Sequence, residues 1–188
     1  PISGLSARLL DAGYNFDYIS DKQLISCTYG DSQIVTSGGS VYKALIIPET
    51  RYIPLETLNQ LVNLESEDVK IYYDGSLPVS VPGMKDLDER EKKLDHLKAT
   101  INKKKYTGDV IRSLNKSKIY GEPSLLKRGF HYQKMKNGDV IWYLIFNCGT
   151  ESLDEFVSLG VNAKSYIFLD PWNGGIYRAE NNKNEVRI

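Results

Sequence analysis

Histidine and cysteine are both scarce in this chain, with two of each among 188 residues. That scarcity narrows the chemistry. There is no C-x-x-C and no pair of histidines at ligand spacing, so no metal ligands are assigned. A nucleophilic triad of the cysteine type needs its thiol on a sharp strand-to-helix elbow with a histidine in reach. Cys27 instead follows a predicted helix within L-I-S-C-T-Y-G, and Cys148 lies in the β-rich end of the chain. His96 falls on a charged helix and His131 in a hairpin strand, so neither thiol has a histidine partner and no catalytic residue is assigned. The two cysteines are read as buried free thiols rather than a disulfide.

Other signatures are missing too. No G-x-G-x-x-G follows a strand and no Walker loop occurs, so no nucleotide-type cofactor, and no cofactor of any kind, is expected. Lysine plus arginine equals aspartate plus glutamate at 24 each, and no basic cluster is interleaved with aromatics. Nucleic acid is therefore not an expected partner. No apolar run approaches the ~20 residues that span a bilayer, so no membrane partner is expected. No signal peptide is visible, but the chain opens at Pro1 without a methionine and is read as processed, trimmed or cut from something longer.

What is present is a soluble globular pattern, 41% hydrophobic, enough for one large domain or two small ones. Its centre is Val41–Leu64. Ala44–Ile47 reads as a buried parallel-type strand, Pro48 ends it, and Pro54 suits the first position of a helix. Leu55, Leu58, Leu61 and Val62 then recur at helical spacing. Upstream, Ser6–Leu10 reads as the last turns of a helix stopped by Gly13, Tyr14–Ile19 as a strand, and Ser20-Asp21 as the N-cap of a short helix over Lys22–Ser26. Gln33–Thr36 and Ser40–Tyr42 form a small strand and turn. Val69–Tyr73 is the next strand. A charged helix over Lys85–Lys105, with Leu87, Leu94, Leu97 and Ile101 as its apolar stripe, and a short helix over Thr107–Leu114 follow. The alternation implies an α/β, flavodoxin-like, doubly wound, mostly parallel sheet over residues 1–125.

From Leu126 the period changes. Phe130–Met135 and Val140–Phe146 flank an Asn137-Gly138 turn and imply a hairpin. Glu155–Leu159, Ser165–Leu169 and Gly175–Ala179 continue as short strands, and Glu180–Arg187 is disordered or an edge strand. Residues 126–188 thus form an antiparallel β region, an incomplete sandwich that leans on the first domain or lacks later strands.

Open α/β sheets bind ligands beyond the carboxyl ends of their strands. The candidate ligand-binding residues there are Asp17, Asp21, Glu49, Arg51 and Asp74, able in principle to do acid/base work or hold a cation. Each also has a structural reading: Asp21 as an N-cap, Asp74 with Gly75 as a turn, Glu49 with Arg51 as a local ion pair. Trp142, Trp172 and Tyr177 could stack on sugar rings, and core packing explains them equally well.

Three blocks in order, F-D-Y-I-S-D-K-Q-L at Phe16–Leu24, Y-K-A-L-I-I-P-E-T-R-Y-I-P-L-E-T-L at Tyr42–Leu58 and D-G-S-L-P-V-S-V-P-G at Asp74–Gly83, resemble the distal region of glycoside hydrolase family 106, the α-L-rhamnosidase-like enzymes. H-Y-Q-K-M-K-N-G-D-V-I-W-Y-L-I-F-N resembles the start of a sandwich in those enzymes, and L-D-P-W-N-G-G their L-D-P-x-x-G turn. The resemblance implies a module like class I glutamine amidotransferases without the triad, followed by a β-sandwich. It also implies that the catalytic carboxylates belong to a barrel elsewhere in a longer, secreted or periplasmic bacterial enzyme. The expected partners are then the other domains of that parent chain, and carbohydrate. The expectation is a non-catalytic accessory module, with a free-standing sugar- or nucleotide-binding module as the alternative and an amidotransferase-like enzyme using Cys27 as a third.

Overall fold

The computed structural model describes residues 2–101, 109–161, 163–182 and 185–188. These form two compact units, one of residues up to Ser6 with Asp17–Ile119, the other of Ala7–Phe16 with Tyr120–Ile188. Helix α1 (Ile2–Asp11) contributes to both. It stops where the sequence says, because Gly13 takes a φ of 77°. The Gly13 amide then donates to the Leu10 carbonyl and that of Tyr14 to Leu9, the paired closure of a Schellman motif.

In the first unit the βαβ motif is present. Strands β4 (Leu45–Pro48) and β5 (Ile71–Asp74) lie parallel, in register from Leu45↔Ile71 to Pro48↔Asp74, and helix α3 (Leu55–Ser66) joins them. Leu58, Leu61 and Leu64 of α3 are at most 1% exposed and share a core with Ile71, Tyr73 and Leu94. Each such leucine gains about 1.5–3 kcal/mol from leaving water, before entropy is counted. Helix α4 (Leu87–Thr100) buries Leu94, with Ile101 just beyond it, while Leu87 and Leu97 pack at the margin. Its predicted extension to Lys105, and Thr107–Gly108 at the start of the next helix, lie outside the described residues. Helix α5 (Val110–Lys116) starts on Asp109, whose side chain accepts from the Arg112 amide at 2.9 Å.

The sheet does not grow beyond that pair. A flavodoxin-like, doubly wound parallel sheet of the glutamine amidotransferase kind is ruled out, because β4 and β5 are the one parallel pair of strands among the described residues. Two segments explain the difference. Strands β1 (Thr28–Gly30), β2 (Gln33–Val35) and β3 (Val41–Tyr42) form an antiparallel meander, closed first at Gly30↔Gln33 around Asp31 and Ser32. Both turn residues have positive φ, 51° and 58°, the backbone of a two-residue hairpin, which can join only antiparallel neighbours. The second segment, Tyr14–Ile19, forms no strand. Its polar side chains are engaged instead: Asn15 donates to the Tyr132 carbonyl and accepts from the Lys134 amide, both at 3.0 Å. Helix α2 (Asp21–Ile25) follows, with Ser20 and Gln23 forming a capping box.

The second unit is antiparallel. After helix α6 (Pro123–Leu126), β6 (Phe130–Asn137) and β7 (Val140–Asn147) pair from Phe130↔Asn147 to Asn137↔Val140, so Gly138 and Asp139 make the turn. Strands β9 (Ile167–Leu169) and β10 (Ile176–Arg178) form a second hairpin. The third sheet has the order β11 (Asn181–Asn182), β12 (Glu185–Arg187), β8 (Phe156–Ser158). Of the charged ending, Asn181–Asn182 is the edge strand that the sequence allows, but Glu185–Arg187 is the middle strand, and its Val186 is buried against Val157, Leu125, Phe130 and Leu159. Period-two burial of a single valine is too short a signal to read among charges.

Candidate functional site

The predicted residues divide into a pair and outliers. Glu49 directly follows β4, and Asp74 closes β5 opposite Pro48, so these two stand at the same end of the parallel ladder. Glu49 is exposed, yet its side chain lies back over the turn after β5. One of its oxygens accepts from the Ser76 amide at 3.3 Å, and its side chain covers Gly75 so closely that a Cβ there would meet Glu49 Cδ at 2.9 Å. Gly75 also has a φ of 108°, a conformation that side chains resist. Arg51 lies over the Tyr52 ring, 5.3 Å from its centroid. Its carbonyl accepts from the amides of Val79 and Ser80 at 3.0 and 3.2 Å, which ties the β4–α3 loop to the segment after β5.

Asp17 and Asp21 are used by other elements. Asp17 accepts from the Tyr42 hydroxyl of β3 at 2.6 Å. That bond, with burial second, pushes the Tyr42 phenol up to about 12. Asp21 opens α2 and accepts at 2.8 Å from the hydroxyl of Thr57, which is itself buried in the first turns of α3. Beside α3 and α4 an open groove of about 650 Å³ is lined by Leu55, Glu56, Asn59, Glu89, His96 and Leu97. Lys93 in the same lining is paired with Glu89 at 2.6 Å, an exposed i,i+4 contact.

Sequence reasoning missed the buried carboxylate among the described residues. Glu122 is 4% exposed. One oxygen accepts from Lys134 Nζ at 2.6 Å and from the Tyr143 hydroxyl, the other from the Gly160 amide at 3.0 Å. The Glu122 amide donates to the Gly13 carbonyl, which also accepts from the Tyr132 hydroxyl. Burial and then the Glu122 bond hold the Tyr143 phenol far above its ordinary range, and burial with the Glu122 charge pushes Tyr132 up to about 12. Every donor here faces an acceptor, which is the condition for keeping a carboxylate out of water. Only the position of Glu122 between Gly121 and Pro123, ahead of α6, could have marked it, and no periodicity passes through it.

The exposed aromatics are the third group. Trp172 is 95% exposed, Tyr177 53% and Trp142 45%, so core packing does not account for them. Trp172 sits in a turn where its amide donates to Asp170 Oδ1 at 2.8 Å. Cys27 is buried, and burial raises its thiol above the usual value, whereas Cys148 is exposed, against the expectation of two buried thiols. Among the described residues no three of histidine, cysteine, aspartate and glutamate gather as a metal ion would require, and no helix is long and apolar enough to cross a membrane.

No curated protein and no solved structure matches the chain. The sequence model of glycoside hydrolase family 106, alpha-L-rhamnosidase, matches residues 3–142, which include the βαβ motif, both predicted strand-end acids and the buried Glu122 with Lys134. That match covers most of the 188 residues, and the chain belongs to the alpha-L-rhamnosidase family of glycoside hydrolases.

Proposed function

We propose that this chain is a non-catalytic accessory region of a bacterial glycoside hydrolase that acts on rhamnose-containing glycans, exported with its parent enzyme. The observation that supports the reading is how the carboxylates are used. Hydrolysis of a glycoside by the usual route needs two carboxyl groups facing each other across a sugar, about 5–10 Å apart. Here Asp17 is bonded to Tyr42, Asp21 to Thr57, Glu49 to the Ser76 amide and Glu122 to Lys134, Tyr143 and Gly160. These bonds spend the acids on holding segments together. The test is a glycosidase assay on the isolated chain with an aryl α-L-rhamnoside: no turnover is expected, and turnover abolished by Glu49→Gln overturns the reading.

A second reading is a sugar- or nucleotide-binding module. It is favoured by the position of Glu49 and Asp74 at the same carboxyl end of β4 and β5, where parallel strands present ligand sites. Calorimetry separates the two: saturable binding of a monosaccharide or nucleotide, lost in Glu49→Gln, supports the binding module.

A further inference from the structure

Strand β7 carries seven apolar residues in succession, V-I-W-Y-L-I-F, before Asn147. Such a run belongs to a strand covered on both faces. Only one face is covered here. The register places Tyr143 and Ile145 on the same side as Phe130 and Tyr132, and these pack on the buried core of the unit. The other side holds Val140, Trp142, Leu144 and Phe146 of β7 with His131, Gln133 and Met135 of β6. Its five large apolar side chains are exposed by 45–54%.

We propose that this face is the contact between two copies of the chain, packed sheet against sheet about a two-fold axis. The inference is independent of the glycosidase reading. Three observations carry it. First, the area fits. At about half exposure, with ~150–250 Å² for each of the two aromatics and less for Val140, Leu144 and Met135, the five residues offer roughly 400 Å². His131 and Gln133, also exposed on this face, bring it toward the ≈ 800 Å² per partner of a standard interface. Second, the face holds no lysine, arginine, aspartate or glutamate, since Lys134 and Lys136 project to the opposite side. Two copies can therefore meet without opposing like charges, as a self-complementary interface requires. The β7 stripe of one copy lies along that of the other at the ≈ 10 Å spacing of stacked sheets. Third, the outer edge of β6 is blocked, because the Asn15 side chain occupies the Tyr132 carbonyl and Lys134 amide. Growth by an added strand is denied on that edge.

The test is sedimentation velocity on the whole chain, from low to high micromolar concentration. The expected result is a species of twice 21.3 kDa at the upper end. It is lost in the Leu144→Lys, Phe146→Lys double variant with an unchanged far-UV spectrum, and kept in Val79→Lys, a charge placed at a 60% exposed position of the other unit. A monomer at every concentration, which would leave the face to a further sheet of a longer polypeptide, overturns the proposal. So does a dimer that survives in the folded double variant. If the lysine variant does not fold, Trp172→Phe leaves Trp142 as the sole tryptophan. Its emission then moves to the blue and resists acrylamide as concentration rises, and an emission that ignores concentration overturns the proposal.

Discussion

Lys134 Nζ lies 2.6 Å from a carboxylate oxygen of Glu122, on a lysine 31% exposed and a glutamate 3% exposed at its side chain. The lysine reaches inward along β6 to a carboxylate almost wholly withdrawn from water, and the partial exposure of its own side chain sets how much the pair can be worth.

Removing the carboxylate is therefore predicted to destabilise the second unit. Breaking a fully buried pair from one side costs ~3–5 kcal/mol, and the water available to Lys134 lowers that to about 2–3 kcal/mol for Glu122→Gln. Urea denaturation of Glu122→Gln, Lys134→Met and the double variant measures it. Coupling is expected, with Lys134→Met costing less in the Glu122→Gln background than in the parent.

Alkaline pH should loosen the same cluster. The Tyr132 phenol titrates at about 12 in the folded chain against 10.0 ordinarily. A group whose folded pKa is raised gives stability that is complete below the unfolded value and disappears as pH climbs through the folded one. Stability should hold up to about pH 10 and fall between pH 10 and about 12. Tyr132→Phe should flatten that fall, as followed by urea midpoints across the range, and an unchanged slope would remove Tyr132 from the account.

Asp17→Asn tests the first unit in the same way. The hydrogen bond from Tyr42 to Asp17 is the leading cause of the raised Tyr42 phenol, so the variant should return one tyrosine from about 12 toward 10. Absorbance of tyrosinate against pH reads the change directly. The effect on folding should stay under about 1 kcal/mol, because both groups reach solvent.

Gly75→Ala should be destabilising by about 1–3 kcal/mol, for the positive φ and for the Glu49 side chain that fills the space. Glu49→Ala in the same chain should recover part of the loss by vacating that space. Melting curves of the two single variants and the double variant decide it, and strict additivity would show that Glu49 does not press on Gly75.

Thiol labelling of the native chain should modify Cys148 rapidly and Cys27 slowly, since one is exposed and the other buried with a raised pKa. Mass spectrometry after brief iodoacetamide treatment shows which carries the label. Rapid modification of Cys27 would reopen the reading of this chain as a cysteine-dependent enzyme.

Much of the local structure is written in short patterns. Gly13 as a helix stop, Ser20 as a cap, the leucines of α3, the stripe through Leu94 and the hairpin after Asn137 are all visible without a structure, because each follows from neighbours within one turn or one pair of strands. The strand-end acids were placed by the same logic, and Glu49 and Asp74 stand at the same end of the β4–β5 ladder. The binding role assigned to them rests on a sheet larger than the one that forms. Glu122 left no trace of this kind, since its partners Lys134, Tyr143 and Gly160 come from β6, β7 and the segment after β8.

Residue order alone marked most of the segments that coil or extend, Tyr14–Ile19 being an exception, and it pointed to the family, because those choices depend on local sterics, periodicity and short motifs. Whether extended segments lie side by side in one direction or fold back was decided only by the tertiary structure. Asp31 and Ser32 adopt positive φ without a glycine to announce it, and that turn folds β1 back on β2 as part of an antiparallel meander. The burial of Glu122 and the bare face of β7 are likewise properties of which surfaces meet, and contacts between distant segments leave no periodic mark on a single chain.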